Sequence, residues 1–280
     1  MEIVIGSLVR RKSYGQDIVF RVIQINHAER TAILQGLDVR LLADAPLDDL
    51  IMLDADAHEE EASRPDAGFG AAKMLKPPEG GGTRPSTDSL SVGTSTAVAY
   101  PGKVLHLDGD ARYLAMSMAE YERLGIPAVG QHVLERDMPR RVISLLVRYQ
   151  PDVLVLTGHD AYRRRSAARE IDQYRHSQYF IETVRRVRAE YERHKDALII
   201  VAGACQSYYE GLMEAGANFA SSPARVNIHA LDPITVVHRL SFASVRDIVP
   251  PDVAIRAVRS GAQGIGGIET RGTLRIGVPE

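Results

Sequence analysis

The chain has 280 residues, of which 45% are apolar and 25% are charged, with a formal net charge of -2. This composition is typical of a globular protein of one or two domains, and the charge balance argues against a nucleic-acid partner. The single cysteine excludes an intramolecular disulfide, and no apolar run approaches the ~20 residues that span a membrane. Since the start, MEIVIG, also lacks a signal-peptide pattern, we expect a soluble cytoplasmic protein without a membrane partner.

Residues 1–54 have the pattern of short strands. The stretches DIVFRVIQI and TAILQGLDVRLLAD are rich in Val, Ile and Leu, and the turn-prone NHAER separates them. This pattern predicts a small antiparallel barrel of the SH3-like type. The basic run Arg10, Arg11 and Lys12 is typical of a solvated loop and is weak support for nucleic-acid binding.

Residues 55–99 differ in composition from the rest of the chain. They contain HEEEASRPDAGFG and KPPEGGGTRPSTDSLSVGTSTA, which are rich in Pro, Gly, Ser and Thr and poor in large apolar side chains. Such a segment cannot bury enough apolar surface to offset the entropy lost on ordering it. The sequence therefore predicts a flexible linker that a protease would cut readily, between domains at 1–54 and 100–280.

From Lys103 onward, predicted strands alternate with predicted helices. The strands are KVLHLDGD, AVGQHV, DVLVLTGHD and ALIIVAGAC, and the intervening helices are ARYLAMSMAEYERLG, ERDMPRRVISLLVRYQ and QYFIETVRRVRAEYERH. Gly125 is expected to close the first helix, while Asp137 and Pro139 mark the start of the second. This alternation predicts an α/β domain in which helices cover both faces of a parallel sheet.

The C-terminal stretch GGIETRGTLRIG has the composition of two short strands joined by a turn. We expect a hairpin that turns at Arg271 and Gly272. Its glycines do not indicate a phosphate-binding loop, because no strand-to-helix pattern follows them.

Reactive side chains follow three of the predicted strands. Asp108 and Asp110 follow the first strand, His159 the third and Cys205 the fourth. Catalytic groups collect beyond the carboxyl ends of parallel strands, and sequential strands are usually neighbours. We therefore expect His159 and Cys205 to lie within reach of each other, where the imidazole can take the proton of the thiol. This predicts Cys205 as a nucleophile and His159 as its base.

Other interpretations of the cysteine stay open. A lone cysteine is often a small apolar side chain of the core. His229 and His238 follow Cys205 and are rival bases in the order used by amidotransferases, although VNIHALDP is typical of a connecting segment. An amidase or amidotransferase-like hydrolase that uses Cys205 with His229 is therefore one alternative function. A binding protein without catalysis, with the small barrel as its docking surface, is another.

The acidic residues near the strand ends have simpler interpretations than catalysis. Asp108 and Asp110 match the DxD of aspartyl-nucleophile phosphohydrolases, but Arg112 stands where that pattern has threonine. A loop with two solvated acids is the preferred interpretation, although these acids can also line the site and meet a basic substrate. Asp160 is expected to cap the following helix, with orientation of His159 as the alternative.

The blocks VLVLTGHD and ALIIVAGACQ resemble the caspase, clostripain and gingipain group of cysteine peptidases. In each block an apolar strand precedes the reactive residue, and His159 lies 46 positions before Cys205, near the ~50 of the caspase pattern. That group places a glycine after the histidine and uses its amide in the oxyanion hole, whereas Gly158 precedes His159 here. We expect the amides of Asp160 and Cys205 to form the hole, since backbone donors act whatever side chain they carry.

Longer motifs cover nearly the whole chain outside the predicted linker. They are IGSLVRRKSYGQDIVFRVIQI, LLADAPLDDL, PGKVLHLDGD, DVLVLTGHDAY, YRHSQYFIETVR, GACQS, AGANFASSPARVNIHALDP and GGIETRGTLR. In this order they resemble the YabG family of sporulation-specific peptidases of spore-forming bacteria. The resemblance implies a cysteine endopeptidase that processes spore coat and spore-associated proteins in the mother cell, with Cys205 as nucleophile and His159 as base. No cofactor or metal is implied, because one cysteine and scattered histidines lack zinc-ligand spacing.

The resemblance also suggests where substrates bind. Gln206, beside the nucleophile, is a candidate to line the substrate cleft. Arg-specific enzymes that cut themselves occur in the wider caspase-like group, so YRRRSAAR is either a solvated surface loop or a self-cleavage site. A preference for arginine at the cleaved residue needs an acid in the pocket, and the candidates are Asp172, Asp232 and Glu269. No feature of the sequence specifies an oligomeric state.

Overall fold

The computed structural model of the protein describes residues 3–37, 39–53, 98–162 and 170–277. All but the last two positions of the predicted linker at 55–99 lie outside the described residues, as do residues 163–169 of the arginine-rich loop. Within the described ranges, no helix is long and apolar enough to cross a membrane.

The N-terminal unit is a five-stranded antiparallel sheet, and the prediction of an antiparallel unit here is confirmed. In chain order its strands are β1 (Leu8–Arg11), β2 (Phe20–Asn26), β3 (Thr31–Gly36), β4 (Leu42–Pro46) and β5 (Leu50–Met52). They lie in the spatial order β4-β3-β2-β1-β5. Alternate residues of β3, including Ala32 and Leu34, are buried, because successive side chains of a strand point to opposite faces.

The C-terminal unit alternates strands with helices. Its strands are β6 (Val98–Tyr100), β7 (Val104–Asp108), β8 (Ala128–His132), β9 (Val153–Thr157), β10 (Ile199–Ala202), β11 (Phe219–Ser221), β12 (Ile248–Val249), β13 (Ile265–Gly267), β14 (Thr270–Arg271) and β15 (Arg275–Gly277). Its helices, numbered over the described residues, are α1 (Ala111–Arg123), α2 (Met138–Tyr149), α3 (Ser177–Glu190), α4 (Tyr209–Ala215), α5 (Asp232–Ser241), α6 (Pro251–Ile255) and α7 (Gly261–Gly264). The predicted α/β class, with helices on a mostly parallel sheet, is confirmed.

The large sheet has the order β13-β11-β10-β9-β7-β8 and is apolar on both faces. Only the β11–β13 pair is antiparallel within it. Every residue of β9 is buried. Leu154 and Leu156 join a cluster with α2 and α3, whereas Val153 and Val155 join a second cluster with α1 and α5. Burial of both faces is typical of a parallel sheet between two helical layers.

The helices begin and end close to the predicted signals. The carboxylate of Asp110 accepts hydrogen bonds from the amides of Arg112 and Tyr113, and so caps α1. Gly125 follows α1 with a φ of 68°, a conformation that favours glycine. Asp137 is at the N-cap position of α2 as predicted, although its side chain makes no capping hydrogen bond there.

The predicted C-terminal hairpin is wrong. The strands on either side of the expected turn do not pair with each other, because β14 pairs with β12 and β15 pairs with β6. Gly272 lies against the backbone of Ala243, and a Cβ atom at Gly272 would collide with the carbonyl oxygen there. The glycine that looked like a turn residue therefore permits the close approach of two backbones.

The two units meet through the β3–β4 connection. Val39 and Leu41 from this connection belong to the same hydrophobic cluster as Cys205 of the C-terminal unit. Isolated backbone bridges join Val39 to His229 in antiparallel sense and Leu41 to Asp160 in parallel sense. The β3–β4 connection therefore lies over the ends of β9 and β10.

We expect Gly272→Ala to lower the free energy of unfolding by about 1–3 kcal/mol, because the added methyl group meets backbone atoms that cannot rotate away. Gly130→Ala is the matched control. Its methyl group would meet the side chains of Met118 and Leu114, which can change rotamer. Urea unfolding followed by circular dichroism measures both variants, and equal stabilities would contradict the close contact at Gly272.

Candidate active site

His159 and Cys205 lie at the same edge of the large sheet. The strands β9 and β10 are parallel neighbours, with Leu156 paired to Ala202. His159 lies three residues after Leu156, and Cys205 lies three residues after Ala202. The expectation that these two strands are adjacent is confirmed. The charge of Arg40, from the N-terminal unit, acts on both reactive side chains.

The Cys205 thiol is buried and is bonded to backbone rather than to a side chain. The amide of Ile228 donates to Sγ at 3.2 Å, and Sγ lies 3.5 Å from the carbonyl oxygen of Ile228. Burial raises the pKa of Cys205 to about 12, although hydrogen bonds from the backbone of Ile228 and Arg40 act in the opposite direction. The thiol is therefore protonated at neutral pH.

The His159 ring is also buried and neutral. Its Nε2 lies 3.3 Å from Nε2 of Gln35 and 3.7 Å from Oδ2 of Asp110, and the Tyr113 ring lies beside it at 5.5 Å. Burial lowers the pKa of His159 to about 4, despite the nearby Asp110 charge, which raises it. In the described part of the chain, no hydrogen bond joins this ring to the Cys205 thiol. Both side chains are therefore uncharged in this structure, and a thiol in that state is a poor nucleophile.

Glu135 holds the backbone of His159 in place, in the loop that follows β9. Its buried carboxylate accepts a hydrogen bond from the His159 amide at 2.8 Å. The same carboxylate fills the space beside Gly109 and Gly158, where a Cβ atom would collide with it. This contact gives a physical reason for glycine before His159. The sequence did not indicate Glu135, because it lies in a short turn that carries no periodic pattern.

Asp160 is buried and ties several segments together. Its carboxylate accepts hydrogen bonds from the His176 amide at 2.8 Å, from the Ser207 hydroxyl at 3.0 Å and from the Ser177 hydroxyl. Burial raises the pKa of Asp160, although the hydrogen bonds at the start of α3 lower it. Its side chain thus anchors the start of α3, while its carbonyl oxygen accepts from the amide of Leu42 at 3.4 Å.

Gln206 directly follows Cys205 and has a left-handed conformation, with a φ of 56°. Its amide donates to the carbonyl oxygen of Val226, and its side chain contacts the amide of Tyr162 and the side chain of Asn227. These bonds join the loop after β10 to the loop after β9 and to the segment before His229. Its role in lining a substrate cleft stays a prediction.

The three candidate pocket acids are placed very differently. Asp172 is exposed in the turn Glu170–Gln173, and Glu269 is exposed between β13 and β14. Asp232 is buried, and its charge reaches Cys205. Its carboxylate already accepts hydrogen bonds from the amides of His229 and Arg259.

The two later histidines also differ in position. His229 follows Ile228, whose backbone bonds the thiol, and its Nε2 lies 3.0 Å from Nη1 of Arg259. His238 lies in α5 against Phe242, and burial lowers its pKa. Within the described residues, no group of three or more His, Cys, Asp or Glu is placed to hold a metal ion.

The expectation of two solvated acids after β7 is wrong. Asp108 is fully buried and pairs with Arg40, whose Nη1 lies 2.7 Å from Oδ2. Asp110 is partly buried, caps α1 and accepts a hydrogen bond from Gln35. Neither Arg40 nor Gln35 was indicated by the sequence, because both reach the site from the other unit.

Two comparisons place the chain among known proteins. A family model described as YabG peptidase U57 matches residues 4–279. The chain is 40% identical over 287 residues to the sporulation-specific protease YabG of Bacillus subtilis (strain 168), covering 100% of this chain and 99% of that relative. The resemblance indicated by the sequence motifs is confirmed.

We expect iodoacetamide to alkylate Cys205 far more slowly in the native chain than in the chain unfolded in urea. A pKa of about 12, against an ordinary 9.0, reduces the thiolate fraction at pH 8 about a thousandfold, and the native rate should rise with pH. Mass spectrometry of timed samples measures both rates, with N-acetylcysteine as the reference thiol. Equal rates at pH 8 would contradict the buried, neutral thiol.

Glu135→Ala should destabilise the chain by about 1–3 kcal/mol, because it leaves the buried His159 amide without an acceptor. Glu135→Gln is the matched control, since its amide oxygen can still accept that hydrogen bond. Urea unfolding compares the two. If both variants lose the same stability, the hydrogen bond to His159 is not what makes Glu135 important.

Proposed function

This chain belongs to the YabG peptidase U57 family, and we propose that it is a cysteine endopeptidase with Cys205 as nucleophile and His159 as base. The family is one of peptidases, and its Bacillus subtilis relative is a sporulation-specific protease, so the chain is a protease of sporulation. The cysteine mechanism is supported by one observation above all. The chain's single cysteine and a histidine follow two neighbouring parallel strands at matched positions.

In the proposed reaction, His159 takes the proton of the Cys205 thiol, and the thiolate attacks the carbonyl carbon of a peptide bond. The C–N bond breaks as His159 gives the proton to the leaving amine, which leaves a thioester on Cys205. Water then attacks the thioester while His159 accepts its proton. The C–S bond breaks, the proton returns to the thiol, and the carboxylic acid product leaves.

The amides of Asp160 and Cys205 are the proposed oxyanion donors. Each belongs to the loop that directly follows a strand, and such preorganised donors are worth ~2.7–4 kcal/mol of barrier each. The two loops that carry these amides are held in place by hydrogen bonds. Glu135 accepts from the neighbouring His159 amide, and the Asp160 carboxylate accepts from the Ser207 hydroxyl. The bridge between Leu41 and Asp160 must open before a substrate can use this position.

We assign its substrates to spore coat and spore-associated proteins in the mother-cell cytoplasm, as the family resemblance implies. The name of the Bacillus subtilis relative, a sporulation-specific protease, supports the proposal that cleavage takes place during sporulation. A preference for arginine at the cleaved residue, and self-cleavage, are further parts of the proposal. The preference is supported by a buried carboxylate, that of Asp108, at the end of the strand next to β9.

We expect Cys205→Ala and His159→Ala to slow cleavage of extracted spore coat proteins at least about 1,000-fold, the order of loss when a nucleophile or base is removed. His229→Ala is the control, because the competing amidotransferase order would make His229 the base; it should keep most of the wild-type rate. Fragments are quantified by mass spectrometry, and circular dichroism checks that each variant is folded. Undiminished cleavage by folded Cys205→Ala would contradict the mechanism.

A further inference from the structure

A segment of the N-terminal unit lies in the position of a bound peptide. Residues 39–41 of the β3–β4 connection, termed the occluding segment, form backbone bridges on both sides. Val39 pairs with His229, and Leu41 pairs with Asp160 beside the catalytic histidine. Peptides that bind as an added strand use this kind of backbone pairing, with alternate side chains entering pockets.

The side chain of Arg40 enters such a pocket. It is fully buried, with Nη1 2.7 Å from Oδ2 of Asp108 and Nη2 3.5 Å from Oγ of Ser117. The guanidinium also lies 4.7 Å from the centre of the Tyr113 ring, and its Nε donates to the carbonyl oxygen of Ala230 at 3.4 Å. A carboxylate floor, a hydroxyl, a carbonyl and an aromatic face are the groups that recognise arginine.

The floor of this pocket is built by the C-terminal unit alone. Asp108 also accepts hydrogen bonds from Oγ1 of Thr157 at 2.9 Å and from the amide of Asp110 at 2.9 Å. Burial raises the pKa of Asp108, but the charges of Arg40 and His106 and the hydrogen bonds from Arg40 and the Asp110 amide outweigh it and lower the pKa overall. A buried carboxylate of this kind requires a cation as its partner.

The pocket opens beside the nucleophile. Arg40 stands between Val39 and Leu41, which pack in one hydrophobic cluster with Cys205, while its side chain reaches Asp108. In a peptidase, the substrate residue at the cleaved bond has its backbone beside the nucleophile and its side chain in the adjacent pocket. An ion pair that served only to fasten the two units would not need to place the residues on either side of it against Cys205 and Asp160.

We propose that the Asp108 pocket is the subsite for the arginine side chain of a substrate, and that Arg40 fills it in the intact chain. The occluding segment thereby blocks the active site, and a substrate binds only when the segment is displaced. The inference rests on the proposed peptidase function. It assigns the specificity pocket to Asp108 rather than to Asp172, Asp232 or Glu269.

The geometry makes the occluding segment a blocker rather than a productive substrate. The amide of Leu41 donates to the carbonyl oxygen of Val39 at 2.8 Å, which closes a tight turn at Arg40. The nitrogen that would leave in cleavage is thus already engaged. His159 faces Gln35 and Asp110 at the same time.

The test measures binding of agmatine, which carries the guanidinium of arginine on an alkyl chain, by calorimetry. Arg40→Ala should bind agmatine at least about tenfold more tightly than the wild type. In the wild type, Arg40 fills most of the pockets, and only the remaining empty fraction can bind agmatine. Adding Asp108→Asn to Arg40→Ala should abolish that gain. Arg175→Ala is the matched control, since Arg175 pairs with Asp44 between the same two units outside the pocket, and it should bind agmatine as weakly as the wild type.

The inference is overturned if folded Arg40→Ala binds agmatine no better than the wild type, since Arg40 is then only an anchor. Where Arg40→Ala does not fold, Arg40→Lys replaces it, because lysine keeps the charge but lacks the planar fork. Arg40→Lys should bind agmatine more tightly than the wild type, and unchanged affinity would overturn the inference equally.

Peptide hydrolysis separates this inference from the proposed function. A fluorogenic peptide with arginine at the cleaved residue should be hydrolysed faster by Arg40→Ala than by the wild type. If agmatine binds but no variant hydrolyses any peptide, the subsite stands and the peptidase mechanism fails. If the wild type hydrolyses peptides and Arg40→Ala gains no affinity for agmatine, the mechanism stands and the inference fails.

Discussion

The buried carboxylate of Asp108 is the group on which the arrangement of the site depends. It lies at the end of β7, accepts a hydrogen bond from Thr157 at the end of β9, and pairs with Arg40 from the N-terminal sheet. Breaking such a buried pair by removing one partner costs about 3–5 kcal/mol, because a charge is left without compensation. This ion pair therefore joins two strands of the large sheet to the other unit and fixes the position of the occluding segment.

The same arrangement determines the chemical state of the site. With the occluding segment in place, burial raises the pKa of Cys205 and lowers the pKa of His159, so both side chains are uncharged. A neutral thiol bonded to backbone, next to a neutral ring that faces Asp110, does not attack a peptide bond. In the proposed mechanism, displacement of the segment exposes both groups to water, where they form the thiolate and imidazolium pair.

The sequence was sufficient to locate the candidate nucleophile and base, but not the groups around them. Strand periodicity and the rule that reactive groups follow parallel strands placed His159 and Cys205 together. The stretch around Arg40 alternates apolar and polar residues like an exposed strand, so nothing marked its side chain as buried. Arg40 bonds Asp108, which is 68 positions away, and Glu135 bonds His159, which is 24 positions away. Arg40 lies between two strands, and Glu135 lies in a 3-10 helix of only three residues. Such contacts depend on tertiary packing, which local patterns do not encode.

The most direct measurement is a crystal structure of Cys205→Ala bound to a peptide with arginine at the cleaved residue. We expect the substrate guanidinium to lie on Asp108 and the substrate backbone to pair with Asp160, with Arg40 displaced from the pocket. A structure in which Arg40 still pairs with Asp108 while the substrate arginine occupies another acidic pocket would contradict this expectation.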